Sequence, residues 1–187
     1  MAPALEEDSD PVAAIERDVA AGRIGNAVAG VERLMRSGAP DVRMLALAGK
    51  VAYLSGDPSK AESLLEEALK RDPKCAAAHH VLGNLFHDRE KPDRAISAYR
   101  RAIRHDPAIA QAHNDLGTAY FAKGWYREAE ECFREAAKLR PEDAQVQQNL
   151  GEVMRKLGRA PEARRSFQRA LKLRLKSGLK RMVGRDG

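Results

Sequence analysis

Small and bulky apolar residues recur along the chain on a fixed beat. A small residue stands at Ala27, Ala61, Ala95, Ala129 and Ala163. Four positions later comes a large apolar one: Val31, Leu65, Tyr99, Phe133 and Phe167. Three positions beyond that stand Leu34, Ala68, Ala102, Ala136 and Ala170. A spacing of four and then three places all three side chains on one face of an α-helix. Gly49, Gly83, Gly117 and Gly151 precede these columns, each 34 residues from the next. Each unit therefore holds two helices, and in the unit around Gly83 they are predicted near 76–89 and 92–105. Helices of about 12–14 residues are too short to persist alone, so they must pack on one another. Punctuation supports the division. Pro58, Pro92 and Pro161 fall at expected starts of second helices, where a missing N–H costs nothing. Gly22, Gly56, Gly124 and Gly158 mark the turns within units, with Glu90 the exception, and Pro73, Pro107 and Pro141 close three units.

These columns resemble the tetratricopeptide repeat (TPR), whose 34-residue signature is W-x2-L-G-x2-Y, then A-x3-F, then P. Segments 76–109 (HHVLGNLF, AISAY, DP) and 110–143 (HNDLGTAY, AEECF, RP) match most fully. In 42–75, Ala48 replaces the usual Leu, and in 144–177, Leu175 replaces the closing proline. Segment 8–41 is degenerate, with Ile15 where the glycine belongs. The resemblance implies an all-α fold: a right-handed α-solenoid of about five helix pairs. The expected organisation is an acidic leader over 1–7, the array over 8–177, and a basic tail over 178–187 continuing the last helix. Phe167, Leu171, Leu175, Leu179 and Met182 form a stripe on that helix. The stripe is expected to cover the open end of the array.

Composition narrows the function classes. Apolar residues make up 43% and charged residues 32%, enough for a core, and no run approaches a membrane span of about 18 apolar residues. The opening MAPALEEDSD is acidic and lacks the apolar stretch of a secretory signal, so the cytoplasm is the expected location. Cys75 and Cys132 stand alone, without CxxC spacing, which predicts two reduced thiols and no zinc site. The net charge of +6 is uneven. Residues 164–187 carry nine basic groups and one acid, or +8, while the other 24 basic and 26 acidic residues leave −2.

No catalytic motif is present: there is no phosphate-binding Gly-rich loop, no GxSxG and no HExxH. The chain is read as non-enzymatic, without cofactor or metal. His80 and His87 share a helix face but stand about 10 Å apart along the axis, too far to share one metal. His79 and His113 occupy the tryptophan position of the repeat and are expected to pack. Glu66-Glu67 and Glu130-Glu131 are expected to be solvated on outer faces.

The family resemblance implies that the first helix of each unit lines a concave groove. On it fall Lys50, Tyr53, His80, Asn84, His87, Asn114, Thr118, Phe121, Gln148 and Glu152. Amides, imidazoles and hydroxyls suit an extended peptide backbone, and Tyr53 and Phe121 would serve as apolar anchors. Family members that clamp a partner's terminal carboxylate use Lys and Asn, then Asn, then Lys and Arg at such positions of three successive repeats; here only Asn84 matches that set. A second candidate surface is the basic patch Arg164, Arg165, Arg169, Lys172, Arg174, Lys176, Lys180 and Arg181. The leading expectation is a scaffold holding a protein or peptide partner. The alternatives are an accessory subunit of a transferase, protease or envelope machine, and docking of the basic end on an acidic partner or anionic membrane. Nucleic acid fits poorly, since no aromatics interleave with the charges.

Overall fold

The computed structural model describes residues 10–183, with side chains through residue 178. The leader expected over 1–7 and the final residues 184–187 lie outside the described residues, as do the side chains of Leu179, Lys180, Arg181 and Met182. The described residues form ten α-helices and no strand: α1 (Pro11–Ala20), α2 (Ile24–Ser37), α3 (Val42–Leu54), α4 (Pro58–Arg71), α5 (Ala76–Asp88), α6 (Pro92–His105), α7 (Ala110–Ala122), α8 (Tyr126–Leu139), α9 (Ala144–Lys156) and α10 (Ala160–Val183). Consecutive helices pair, and each pair packs on the next. Odd-numbered helices also touch their odd neighbours two along, whereas even-numbered helices do not touch one another. The odd helices thus line the inside of a curved α-solenoid.

Local chemistry sets the helix ends. Asp10, Asp41, Asp57 and Asp143 accept hydrogen bonds from N–H groups of the first turns they cap. Pro58 and Pro92 open α4 and α6, and Pro161 is the second residue of α10. The turns inside the pairs need a left-handed residue, with φ between 72° and 84° at Gly22, Gly56, Gly124 and Gly158. Glu90 fills the equivalent place at φ 55° and tolerates the strain.

The 34-residue beat is a packing rule. The repeat glycine lets the large residue of the partner helix lie against bare backbone. A Cβ added at Gly83 would stand 2.3 Å from the Tyr99 ring; at Gly117 it would stand 2.7 Å from Phe133, and at Gly151 2.4 Å from Phe167. In the degenerate first unit the roles are exchanged. Ile15 supplies the bulk, and a Cβ on Gly30 of α2 would meet it at 2.8 Å. The contact survives with the small and large residues on opposite helices.

His79 and His113 pack as expected, and each ring donates through Nε2 to a carbonyl of the preceding turn: Pro73 at 2.9 Å and Pro107 at 3.0 Å. Burial, opposed by the Pro73 bond, holds the His79 pKa below the ordinary histidine value. Trp125 rests on Tyr120 with ring centres 5.7 Å apart, and Lys123 Nζ lies 4.8 Å above its ring.

Two expectations are corrected. The closing helix forms, and its Phe167 packs on Gly151, but Leu171 and Leu175 are 59% and 60% exposed. Each step of four residues advances about 40° around a helix, so the stripe drifts away from the face that meets α9. Buried Ala163 and Ala170 mark that face. Glu130 is not solvated either. It is buried, 2.7 Å from Arg134 Nη2 and in close contact with Arg159, although its Oε1 lacks good hydrogen-bond alignment. Glu131, its neighbour, is exposed as expected.

Candidate functional site: the concave groove

The inner faces of α3, α5, α7 and α9 carry side chains whose polar groups bond across the helices. Gln145 Nε2 donates to Asn149 Oδ1 at 3.0 Å, and Asn149 Nδ2 donates to Asn114 Oδ1 at 2.8 Å. Asn114 Nδ2 and Gln111 Nε2 both donate to Asp115 Oδ1, at 3.2 and 3.0 Å. His80 Nε2 donates to the other oxygen of Asp115 at 2.8 Å. One directed relay therefore runs from α9 through α7, and a second arm reaches the same carboxylate from α5. Donors that converge on an anion polarise one another, which stiffens the floor.

On the other side, the Tyr53 hydroxyl donates to Asp88 Oδ2 at 2.8 Å and ties α3 to α5. The Tyr99 hydroxyl comes up from α6 and donates to Asn84 Oδ1 at 2.9 Å. Burial and then Asp88 push the Tyr53 hydroxyl up to about 12, and burial with Asp115 raises Tyr99 further. Both phenols are thus neutral donors at ordinary pH.

Between these groups lies a cavity of about 250 Å³, lined by Tyr53, Asn84, His87, Asp88, Tyr99, Gln111, Asp115 and Thr118. It holds two carboxylates and no lysine or arginine. Toward the first repeats a larger hollow of about 660 Å³ is floored by Val42, Ala46, Leu47, Ala77 and Val81, with Lys50 on its rim. Arg43 there is held by Asp10 and Glu16, at 2.9 and 2.8 Å.

The ten expected groove residues separate by role. Tyr53, Asn84, His87 and Thr118 line the central cavity, and Lys50 is exposed beside the apolar hollow. His80 and Asn114 are turned into the floor and commit their polar atoms to the relay. Gln148 is half-buried on α9, and Glu152 there pairs with Arg155 at 2.8 Å. Phe121 is not the exposed aromatic expected. It is half-buried, edge-on to Tyr126 with ring centres 5.3 Å apart, in the core shared with α8 and α9. Sequence reasoning missed Asp88, Asp115, Gln111, Gln145 and Asn149. The pairs Gln111/Asp115 and Gln145/Asn149, four residues apart, were the available signal.

Elsewhere, Arg164, Arg165, Arg169, Lys172, Arg174 and Lys176 are exposed on α10. Arg169 donates to the Pro141 carbonyl at 3.2 Å, and Lys176 pairs with Glu142 at 2.7 Å. A hollow of about 740 Å³ lies between α6, α7 and α8 and includes Cys132, whose thiol burial pushes up to about 12. Among the described residues, no group of His, Cys, Asp and Glu could hold a metal ion, and no helix is long and apolar enough to cross a membrane.

Solved structures share this architecture. TTC0263, a thermophilic TPR protein in Thermus thermophilus, superposes with a TM-score of 0.72 at 21% identity, over 89% of this chain and 94% of that one. A crystal structure of MamA gives 0.68 at 24% identity, over 88% and 96%. The AMB-1 form of MamA gives 0.66 at 25% identity, over 89% and 98%. No curated protein matches the chain. The family model for the cilia and flagella-associated protein 70 C-terminal domain matches residues 1–180. Helix pairs on a 34-residue beat, the inner face they form and this match agree: the chain is a TPR protein of the cilia and flagella-associated protein 70 C-terminal domain family.

Proposed function

We propose that the protein is a non-enzymatic scaffold that holds an extended segment of a partner protein in its concave groove. The observation that carries this reading is the pre-set inner face, where the α9–α7–α5 relay fixes the floor and leaves Asn84, Thr118, Tyr53 and His87 around an open polar cavity. Groups already held in place lose little freedom when a peptide binds, so more of the contact energy appears as affinity. Amide, imidazole, hydroxyl and carboxylate groups line the central cavity, a mix of donors and acceptors that suits a backbone offering both. The apolar hollow beside Lys50 would receive a neighbouring side chain.

Site-directed photo-crosslinking tests this. A benzoylphenylalanine at Thr118 is expected to label a partner polypeptide, and the same group at Lys70, on α4, is not. The identified partner should then bind the purified chain, and Thr118→Arg should block that binding without lowering the melting temperature. Equal labelling from both positions, or binding untouched by Thr118→Arg, removes the groove from the account.

A further inference from the structure

We infer that the central cavity is a subsite for one basic side chain, lysine or arginine, of the bound segment. The inference rests on the groove-binding reading above and gives its partner a chemistry.

The charge around the cavity is one-sided. Asp88 and Asp115 both line it, and no lysine or arginine does. Two cations along the groove are committed elsewhere, Arg43 to Asp10 and Glu16 and Arg155 to Glu152, and Lys50 lines the hollow toward the first repeats rather than this cavity. The net charge of +6 sits in residues 164–187, and the body that holds the cavity is slightly acidic, so no excess of positive charge in residues 1–163 offsets the two carboxylates.

The two carboxylates differ in what they can still do. Asp115 has both oxygens occupied by Gln111, Asn114 and His80, so it contributes field rather than a free acceptor. Asp88 uses one oxygen for Tyr53, and its other oxygen has only His87 Nδ1 at 3.5 Å, beyond hydrogen-bond length. Its side chain is 56% exposed. Asp88 is therefore the carboxylate open to an incoming donor. A bound ammonium or guanidinium would find it as a charge-assisted acceptor, with the Thr118 hydroxyl on the same wall.

Size favours a single side chain. About 250 Å³ is below the usual range for a drug-sized ligand, which begins at about 300 Å³. The cavity also opens onto a groove rather than closing over, so the cation is best delivered on a peptide backbone.

The test uses pools of nine-residue peptides with blocked ends. The fixed central residue is Lys, Arg, norleucine or Glu, and the remaining positions are neutral and randomised. Retention is measured on the immobilised full chain. The Lys and Arg pools are expected to exceed norleucine about two- to fivefold, with Glu below it, and the margin should shrink with salt. Asp88→Asn should remove the preference, and Asp88→Lys should turn it toward Glu; melting temperature and the Thr118 crosslink report that both variants keep the fold and groove. Equal retention of all pools while the Thr118 crosslink persists overturns the basic-residue subsite and leaves groove binding standing. Retention of no pool overturns the subsite too, and the crosslink alone then decides the groove. Self-association in sedimentation that Asp88→Asn abolishes would give the cavity to a second copy and also overturn the proposal.

Discussion

At the scale of the residue, a missing Cβ does as much as any side chain. Gly117 faces the ring of Phe133, which is almost wholly buried and cannot move aside. Alanine there gains about 1 kcal/mol in helix propensity. It also forces a ring contact of 2.7 Å apart, and overpacking of this kind costs about 1–3 kcal/mol or more. The clash wins. Gly117→Ala should lower stability by about 1–2 kcal/mol, seen as an earlier midpoint in urea. Gly25 in the first turn of α2 is the internal control, because nothing lies within 4 Å of the position its Cβ would take. Gly25→Ala should leave the midpoint unchanged or raise it. If both substitutions behave alike, the glycine column is not a packing device. The same logic accounts for the degenerate first unit: Ile15 stands where the other units have glycine, but the contact needs only one small partner, and Gly30 is that partner.

At the scale of the element, the joint between α8 and the turn from α9 to α10 depends on a charge that the sequence disguised. Glu130 lies inside α8 between Arg134 on its own helix and Arg159 in the turn just before α10. Removing one member of a buried ion pair leaves the other uncompensated, which costs several kcal/mol when both are fully enclosed. Arg159 keeps 35% of its side chain in solvent, so a loss of about 1–2 kcal/mol is expected for Glu130→Ala. Glu131→Ala, one residue along and exposed, should stay within about 0.5 kcal/mol of wild type. Denaturant titration of the two variants separates these outcomes, and equal midpoints would contradict the buried role. The contrast shows what was legible. Helix ends, turn glycines and the small–large packing columns follow from local spacing, and α5 and α6 fall within a residue of where that spacing put them. Glu130 and Glu131 are indistinguishable by spacing, because which one is buried depends on where Arg159 in the turn before α10 comes to lie. Groove residues divide likewise. Position on the inner helix placed Tyr53, Asn84, His87 and Thr118 around the cavity, but Asp88 and Asp115 were invisible until Tyr53 and His80, each about one repeat away, reached them.

At the scale of the whole molecule, stability in a stacked array is a sum over units and their neighbours, so the ends should open before the middle. The first pair is the thinner end. Helix α1 buries only Ile15, and α2 buries Ala27, Gly30 and Val31, against eight buried residues in α3. At the other end, α10 continues with Leu171 and Leu175 facing water. The pairs α5–α6 and α7–α8 are flanked on both sides and hold the relay that ends on Asp115. Hydrogen exchange followed by mass spectrometry should therefore find peptides from α5 to α8 the slowest, and those from α1, α2 and residues 171–178 faster by one or more orders of magnitude. A uniform exchange rate would mean that the array opens as one unit and would contradict this gradient. The central cavity sits where protection should be greatest. A groove that keeps its polar groups in register while both ends fray can hold one side chain at a fixed point and let the rest of the segment adapt, which is the arrangement a scaffold for an extended partner requires.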